Sequence, residues 1–405
     1  AMLLIYRVGA ALPVPGVNTE TLAQSLANNS LLSIMNMLGG GALERLSIFA
    51  MGVTPYITAS IIIQLLSMDV IPSLTEMTKS GQTGRMKIER ITRYLGVVLA
   101  FVQAYSLVYG FDKQYRVLTN ANLSGYLYTA TVMTAGSMFL IWIGDRISMK
   151  GIGNGLSIII FAGIVSNMPA AFMQVYQILA GGTTQGELFN GILQFALYCI
   201  LYLAVVVFVI IMETAVRKIP IQYTNSSAAR SGSDITFLPL KINSASVIPV
   251  IFAQSIMMAP QIVISFINTD LYNKLSQWLS LSTPTGLGLY ALLTILFTFF
   301  YTDLQVDPEK VAENLGKSGA YIPGIRPGNE TKTYLHKVLN RITVLGAIGL
   351  TLIAVVPYLL TMFTPLSQAT AVGGTGIIIV VGVAMETVKQ LKGQLTQKQY
   401  KGFLR

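Results

Sequence analysis

Nine apolar stretches, each close to the length of one membrane crossing, follow one another along this chain with mostly short polar connections between them. A bilayer core about 30 Å thick needs roughly 20 helical residues. The runs at 48–68, 94–110, 126–144, 156–175, 191–212, 245–267, 286–302, 342–363 and 373–388 supply them. Residues 1–12 read as half of a tenth, ended by Pro13 and Pro15, which predicts a cytosolic N-terminus and the start of the first helix ahead of Ala1. Lipid offers no partner for backbone N–H and C=O groups, so such runs are helices. Of the 405 residues, 53% are hydrophobic and 11% charged, against roughly 25% charged in soluble domains. With a mean hydropathy of +0.62, the chain cannot cover itself with a water-soluble surface, and it has no long polar linker of the kind that separates soluble domains.

The formal charge of +10 is unevenly placed. Lys79, Arg85, Lys87, Arg90 and Arg93 fall in 69–93, Arg146 and Lys150 in 145–155, and Arg217, Lys218, Arg230 and Lys241 in 213–244. Segment 306–341 holds Lys310, Lys317, Arg326, Lys332, Lys337 and Arg341, and the tail holds Lys389, Lys392, Lys398, Lys401 and Arg405. The intervening connections hold Lys113, Arg116 and Lys274. By the positive-inside rule the rich segments are cytoplasmic, both termini are inside, and the chain crosses ten times. Setting topology takes a few charges in a short turn. The loops 213–244 and 306–341 are longer than that and fit a docking surface for a cytosolic partner.

Phrases recur in the two halves in the same order. Pro55 and then Ser60-Ile61-Ile62-Ile63 are echoed by Pro249 and then Ser255-Ile256-Met257-Met258. Gly153-Asn154-Gly155 precedes Ser157-Ile158-Ile159-Ile160, as Gly373-Gly374-Thr375-Gly376 precedes Ile377-Ile378-Ile379. Five crossings per half make the second copy upside down, the inverted-repeat plan of many membrane transport proteins, with a pathway between the halves near the midplane. Apart from Arg7 and Arg45 near run ends and Glu386 near the end of run 373–388, the runs carry no Asp, Glu, Lys, Arg or His, which argues against proton relays and ion sites. An aliphatic passage gates by dewetting and by close fit.

Chemistry is sparse. Cys199 is the single cysteine and His336 the single histidine, so disulfide frameworks, thiolate metal sites and histidine triads are excluded. No phosphate-binding GxxxxGK[ST] loop occurs, and no cofactor or metal is expected. A small-molecule transporter would display midplane charge, and an intramembrane enzyme a paired Asp or Ser/His set; neither is present. A plain scaffold leaves residues 31–45 unexplained. That segment is too short and glycine-rich to cross, because Gly39-Gly40-Gly41 breaks a helix and Glu44 and Arg45 are costly at depth. It is either an ordinary external loop or a re-entrant piece held inside protein.

The stretches Gly39 to Leu43, Ser47 to Gly52 and Pro55 to Leu66 closely resemble the bacterial SecY family. So do Gly151 to Gly155, Lys317 to Ala320 and Gly324 to Gly328, in the family's order and across nearly the whole chain. The resemblance implies an all-α integral membrane protein of ten transmembrane helices, in two inverted five-helix halves, a clamshell around an hourglass pore with a re-entrant plug. The halves are 1–175, with the plug at about 31–45, and 176–405. It implies a pore ring of Val53, Ile57, Ile160, Ile251, Ser255 and Ile379, with Val53 where the family more often has isoleucine. The plug is centred on Asn36, Met37, Leu38, Gly39, Gly40 and Gly41. A lateral gate lies between the second and seventh helices, where Gln64 and Gln254 bond either across the gate or within one half. Arg217, Lys218, Arg230 and Arg326 dock the motor ATPase SecA and the ribosome with its nascent chain. SecE-like and SecG-like small subunits, signal peptides, preproteins and the lipid bilayer complete the expected partners, in the bacterial inner membrane.

Overall fold

The computed structural model describes residues 2–18, 41–67, 71–119, 121–180, 185–223, 236–267, 275, 278–281, 283–363 and 368–402. Ten helices lie along the expected runs. They are α1 (Met2–Ala11), α2 (Thr54–Leu66), α4 (Gln82–Tyr115), α5 (Leu123–Lys150), α6 (Gly155–Ala180), α7 (Gln185–Thr214), α8 (Ile248–Ile267), α9 (Pro284–Gln305), α11 (Asn329–Phe363) and α12 (Gln368–Gly402). Two short helices, α3 (Pro72–Lys79) and α10 (Pro308–Lys317), sit in connections. Within the first half α2 packs on α4, α4 on α5 and α5 on α6; within the second, α8 packs on α9, α9 on α11 and α11 on α12. The halves meet where α12 and α7 lie on α6. Side chains along α7 such as Phe189, Ile192, Ile200, Leu203 and Ile211 are exposed, as a lipid-facing helix requires.

Several helices outrun their apolar segments. α4, α5 and α11 carry charged turns beyond the bilayer, and α6 continues to Ala180, past the division expected at 175. Two helices are shorter than their runs, because 48–53 and 245–247 are not helical. The cause is backbone. Gly52 has φ +56 and Ser246 has φ +54, both in the left-handed region, which a right-handed helix cannot include. Each is followed by Val, one further residue and then Pro, with that Pro in the first turn of α2 or α8.

These two entries are copies of one design. The residue just after α1, Leu12, accepts from Ile48 N–H at 3.1 Å, and the residue just after α7, Ala215, accepts from Ile242 N–H at 3.0 Å. Gly136 of α5 packs directly on the Ile48 carbonyl; Gly346 of α11 packs on the Ile242 carbonyl, where an added Cβ would come within 2.6 Å. Ile57 N–H donates to Val53 O at 3.1 Å, as Ile251 N–H does to Val247 O at 3.3 Å. The pairs Ile48/Ile242, Gly52/Ser246, Val53/Val247, Pro55/Pro249 and Ile57/Ile251 keep one constant spacing. That register sets Ser60 opposite Gln254, so the match of Ser60 with Ser255 expected from the phrases is out by one residue.

The two long loops are one folded unit. β1 (Val216–Tyr223) pairs antiparallel with β2 (Thr236–Lys241), and β3 (Ala320–Tyr321) pairs with β1 through Gln222 and Tyr223, in the order β2-β1-β3. Beneath the sheet, Ile219, Ile221 and Leu240 bury against Ala312 and Leu315 of α10 and Leu335, Leu339 and Ile342 of α11. Asp307 caps α10 by accepting from Glu309 N–H at 3.0 Å and Lys310 N–H at 3.4 Å. Gly153 packs on Thr387, and Lys389 Nζ donates to the Glu213 carbonyl at 3.2 Å. The basic connections 145–155, 213–244 and 306–341 and the tail therefore share one face. At the opposite face, Thr119 N–H donates to Gly16 O at 3.1 Å and Asn18 N–H to Val117 O at 2.8 Å.

Candidate functional site

The straps before α2 and α8 aim those helices so that aliphatic side chains from both halves converge. Ile57 and Ile61 of α2 and Ile160 of α6 share one apolar cluster with Ile251 and Phe252 of α8 and Ile378 and Ile379 of α12. A second cluster joins Val53, Ile57 and Ile160 to Phe49, Leu140 and Ile159. Ile57 and Ile160 belong to both, so the clusters are continuous. Val53 and Ile379 are buried, while Ile57, Ile160 and Ile251 are partly exposed. Ser255 donates its hydroxyl to Ile251 O of its own helix at 2.8 Å, which leaves no free donor pointing at the cluster. Among the described residues the two clusters that join the halves are built of hydrophobic side chains, with the five aliphatic members of the expected ring among them.

Of the residues expected to form the plug, Asn36 to Gly40 lie outside the described residues. Gly41 has φ +81, a conformation that favours glycine, and faces Asn167 of α6, whose Oδ1 would be 3.2 Å from an added Cβ. Ala42 and Leu43 are fully buried while Arg45 is exposed. Residues 41–43 are therefore held inside the first half.

The polar pair expected between α2 and α8 is differently arranged. Gln64 Oε1 accepts from the hydroxyl of Tyr301, on α9, at 2.7 Å, and Gln64 Nε2 donates to Ser60 Oγ at 3.2 Å. The Tyr301 ring meets Phe252 of α8 edge-on at 4.7 Å between centroids. One tyrosine thereby ties both facing helices. Gln254 is buried, and its Nε2 finds no partner among the described residues. Tyr301 had no signal in the sequence, because a tyrosine in a lipid-spanning run reads as hydrophobic bulk. Tyr301→Phe removes only the bond between the halves. At about 1 kcal/mol for such a bond, it should raise the fraction of channels open at rest roughly fivefold, measured as single-channel open probability in planar bilayers.

On the basic face Arg217, Lys218 and Arg326 are exposed, and Arg230 lies outside the described residues. Arg217 and Lys218 lie in β1, opposite Leu240 and Pro239 of β2. Arg326 follows β3, and its carbonyl accepts from Thr331 Oγ1 at 2.9 Å, which fixes the loop at the start of α11. The sheet therefore brings together residues that the sequence separates by about a hundred positions.

An inverted pair of helical halves, with an apolar cluster between them and a basic unit on one face, has the architecture of a multi-pass channel. Solved channels share the architecture: one described as a protein conducting channel superposes with a TM-score of 0.67 at 19% identity, covering 96% of this chain and 89% of that one. Sec61 in the canine ribosome-channel complex superposes at 0.63 and 18% identity, covering 96% and 89%. The model of the SecY family matches residues 47–388. The protein translocase subunit SecY of Bacillus subtilis is 45% identical over 412 residues, covering all of this chain and 94% of the relative. The chain belongs to the SecY family and is a protein-translocase channel subunit, not an enzyme.

Proposed function

We propose that unfolded secretory polypeptide crosses the bacterial inner membrane between the halves 1–175 and 176–405, through a ring formed by Val53, Ile57, Ile160, Ile251, Ser255 and Ile379. The observation that carries this reading is the uncharged cluster to which α2, α6, α8 and α12 all contribute from opposite halves. Aliphatic side chains hold no water in a narrow passage, so they block ions when empty and close around a chain when filled. Residues Asn36 to Gly41 form the plug, which closes the pathway from the external side. The seam between α2 and α8, tied by Gln64 and lined by Gln254, is the lateral gate that releases signal peptides and transmembrane segments into lipid.

The chain has no energy source of its own in this reading. A cytoplasmic partner supplies it, either the motor ATPase SecA or a ribosome with its nascent chain, docked on Arg217, Lys218, Arg230 and Arg326. Arginine and lysine tips suit ribosomal RNA phosphates and acidic protein surfaces alike. The basic face is cytoplasmic with both termini, and SecE-like and SecG-like subunits brace the two halves.

The test is a disulfide between the channel and a stalled secretory chain that carries its own cysteine. With Cys199 replaced and one new cysteine at Ile57 or Ile379, the expected result is an adduct at both positions and none at lipid-facing positions such as Ile200. A stalled chain that stays bound in the membrane without an adduct at either ring position would place the path elsewhere.

A further inference from the structure

The strap that leads into α8 is tied by a buried carboxylate. Glu213, in the last turn of α7, is 6% exposed. Its Oε1 accepts from Asn243 Nδ2 at 2.9 Å and from Ser246 Oγ at 3.2 Å. Its backbone carbonyl accepts from Lys389 Nζ of α12 at 3.2 Å. One residue therefore gathers the end of α7, the strap 242–247 and the basic end of α12. On either side of this knot lie the hairpin and the gate helix: α7 runs on into β1 at Val216, β2 ends at Lys241, and α8 begins at Ile248.

A buried carboxylate is costly and has to be satisfied by bonded donors. The fold does not demand one here. In the first half Leu12 takes the place of Ala215 and Ile48 that of Ile242, which puts the buried Ala10 in the place of Glu213. There the strap is held by the backbone bonds from Ile48 N–H to Leu12 O and from Val14 N–H to Leu46 O. Among the described residues a folded hairpin between first helix and strap is seen in the second half. The carboxylate accompanies the hairpin. Ser246, a non-glycine residue in the left-handed region, is held there with its hydroxyl on Glu213.

We propose that Glu213 is a positioning residue that makes the β1–β2 hairpin and the root of α8 one rigid body, so that a ribosome docked on the hairpin turns the gate helix. Without the tie, the strap absorbs the displacement. The inference rests on the reading of α8 as a gate helix and of the basic face as the docking surface. Coupling of this kind is a free energy shared between two sites, distinct from the affinity at either one.

The experiment uses the full chain with its small partner subunits in lipid nanodiscs, with Cys199→Ser and a dye pair on α2 and α8, and ribosomes carrying a stalled secretory chain. Glu213→Ala should bind ribosomes and unfold thermally as the parent does, while its ribosome-triggered opening equilibrium falls about fivefold, the low end of ordinary coupling between sites. Glu213→Gln keeps an acceptor oxygen for Asn243 and Ser246 and should restore most of the opening. Parental opening in Glu213→Ala overturns the proposal. Should that variant fail to assemble, Ser246→Ala, which removes one donor and leaves the carboxylate in place, has to show the same loss, and parental opening there overturns it equally. A parent that binds ribosomes without any change between α2 and α8 overturns the gate reading itself, and the coupling with it.

Discussion

Membranes holding channels with Ile57→Glu or Ile379→Glu should conduct ions at rest, with more than about a tenfold rise over parental channels, whose aliphatic seal stays dry. Ile379 is 3% exposed and shares a cluster with Ile160, Ile251 and Ile378. Ile57 belongs to that cluster and to the one around Val53, so a carboxylate at either position sits where the halves meet. An unpaired charge there has to recruit water or give up its charge, and recruiting water opens a wet path between the halves. The matched variants Ile57→Val and Ile379→Val remove one methylene, keep the surface apolar and should remain sealed. Planar-bilayer conductance separates the outcomes, and Glu variants as tight as the parent would take these residues out of the ring.

The spans were legible in the sequence because hydropathy sums over a window. The same summation hid the straps. Residues 48–53 are as apolar as α2 itself, so run 48–68 looks like one helix, whereas the sign of φ at Gly52 and the bond from Ile48 to Leu12 break it before Thr54. The loops 213–244 and 306–341 stood out by length and charge, yet β3 is a two-residue strand that exists only because β1 lies beside it. Glu213 reads in the sequence as one acidic residue at a run end, and Tyr301 as one more aromatic. Their roles come from partners 30 and 237 residues away, a kind of contact that no periodicity encodes.

The inverted repeat is therefore carried less by shared residues than by shared backbone events. In each half the first helix ends, a strap turns back beside it, a glycine on the fourth helix admits the strap carbonyl, and a left-handed residue releases the chain into a proline-capped helix. Each of α2 and α8 thereby starts inside protein, where non-helical backbone is tolerated at membrane depth.

That scheme makes the glycine on the fourth helix of each half sensitive to a single added methyl. At Gly136 the methyl would occupy the space of the Ile48 carbonyl, and at Gly346 it would come within 2.6 Å of the Ile242 carbonyl. Both obstacles are backbone, so neither can rotate away, and the helix or the strap has to move. Overpacking of this kind costs about 1–3 kcal/mol, and displacement of the strap also threatens its bond to the residue after the first helix. Gly136→Ala is expected to lose the more, because its contact is the tighter. Gly288→Ala is the counterpart: Gly288 is an exposed residue of α9 with nothing within 4 Å of an added Cβ, and alanine favours a helix over glycine by about 0.5–1 kcal/mol. Thermal unfolding of the purified channel in detergent should rank Gly288→Ala at or above the parent, Gly346→Ala below it and Gly136→Ala lowest. If Gly136→Ala unfolds with the parent, the strap is free to yield, and a fixed root cannot be what holds α2 in place.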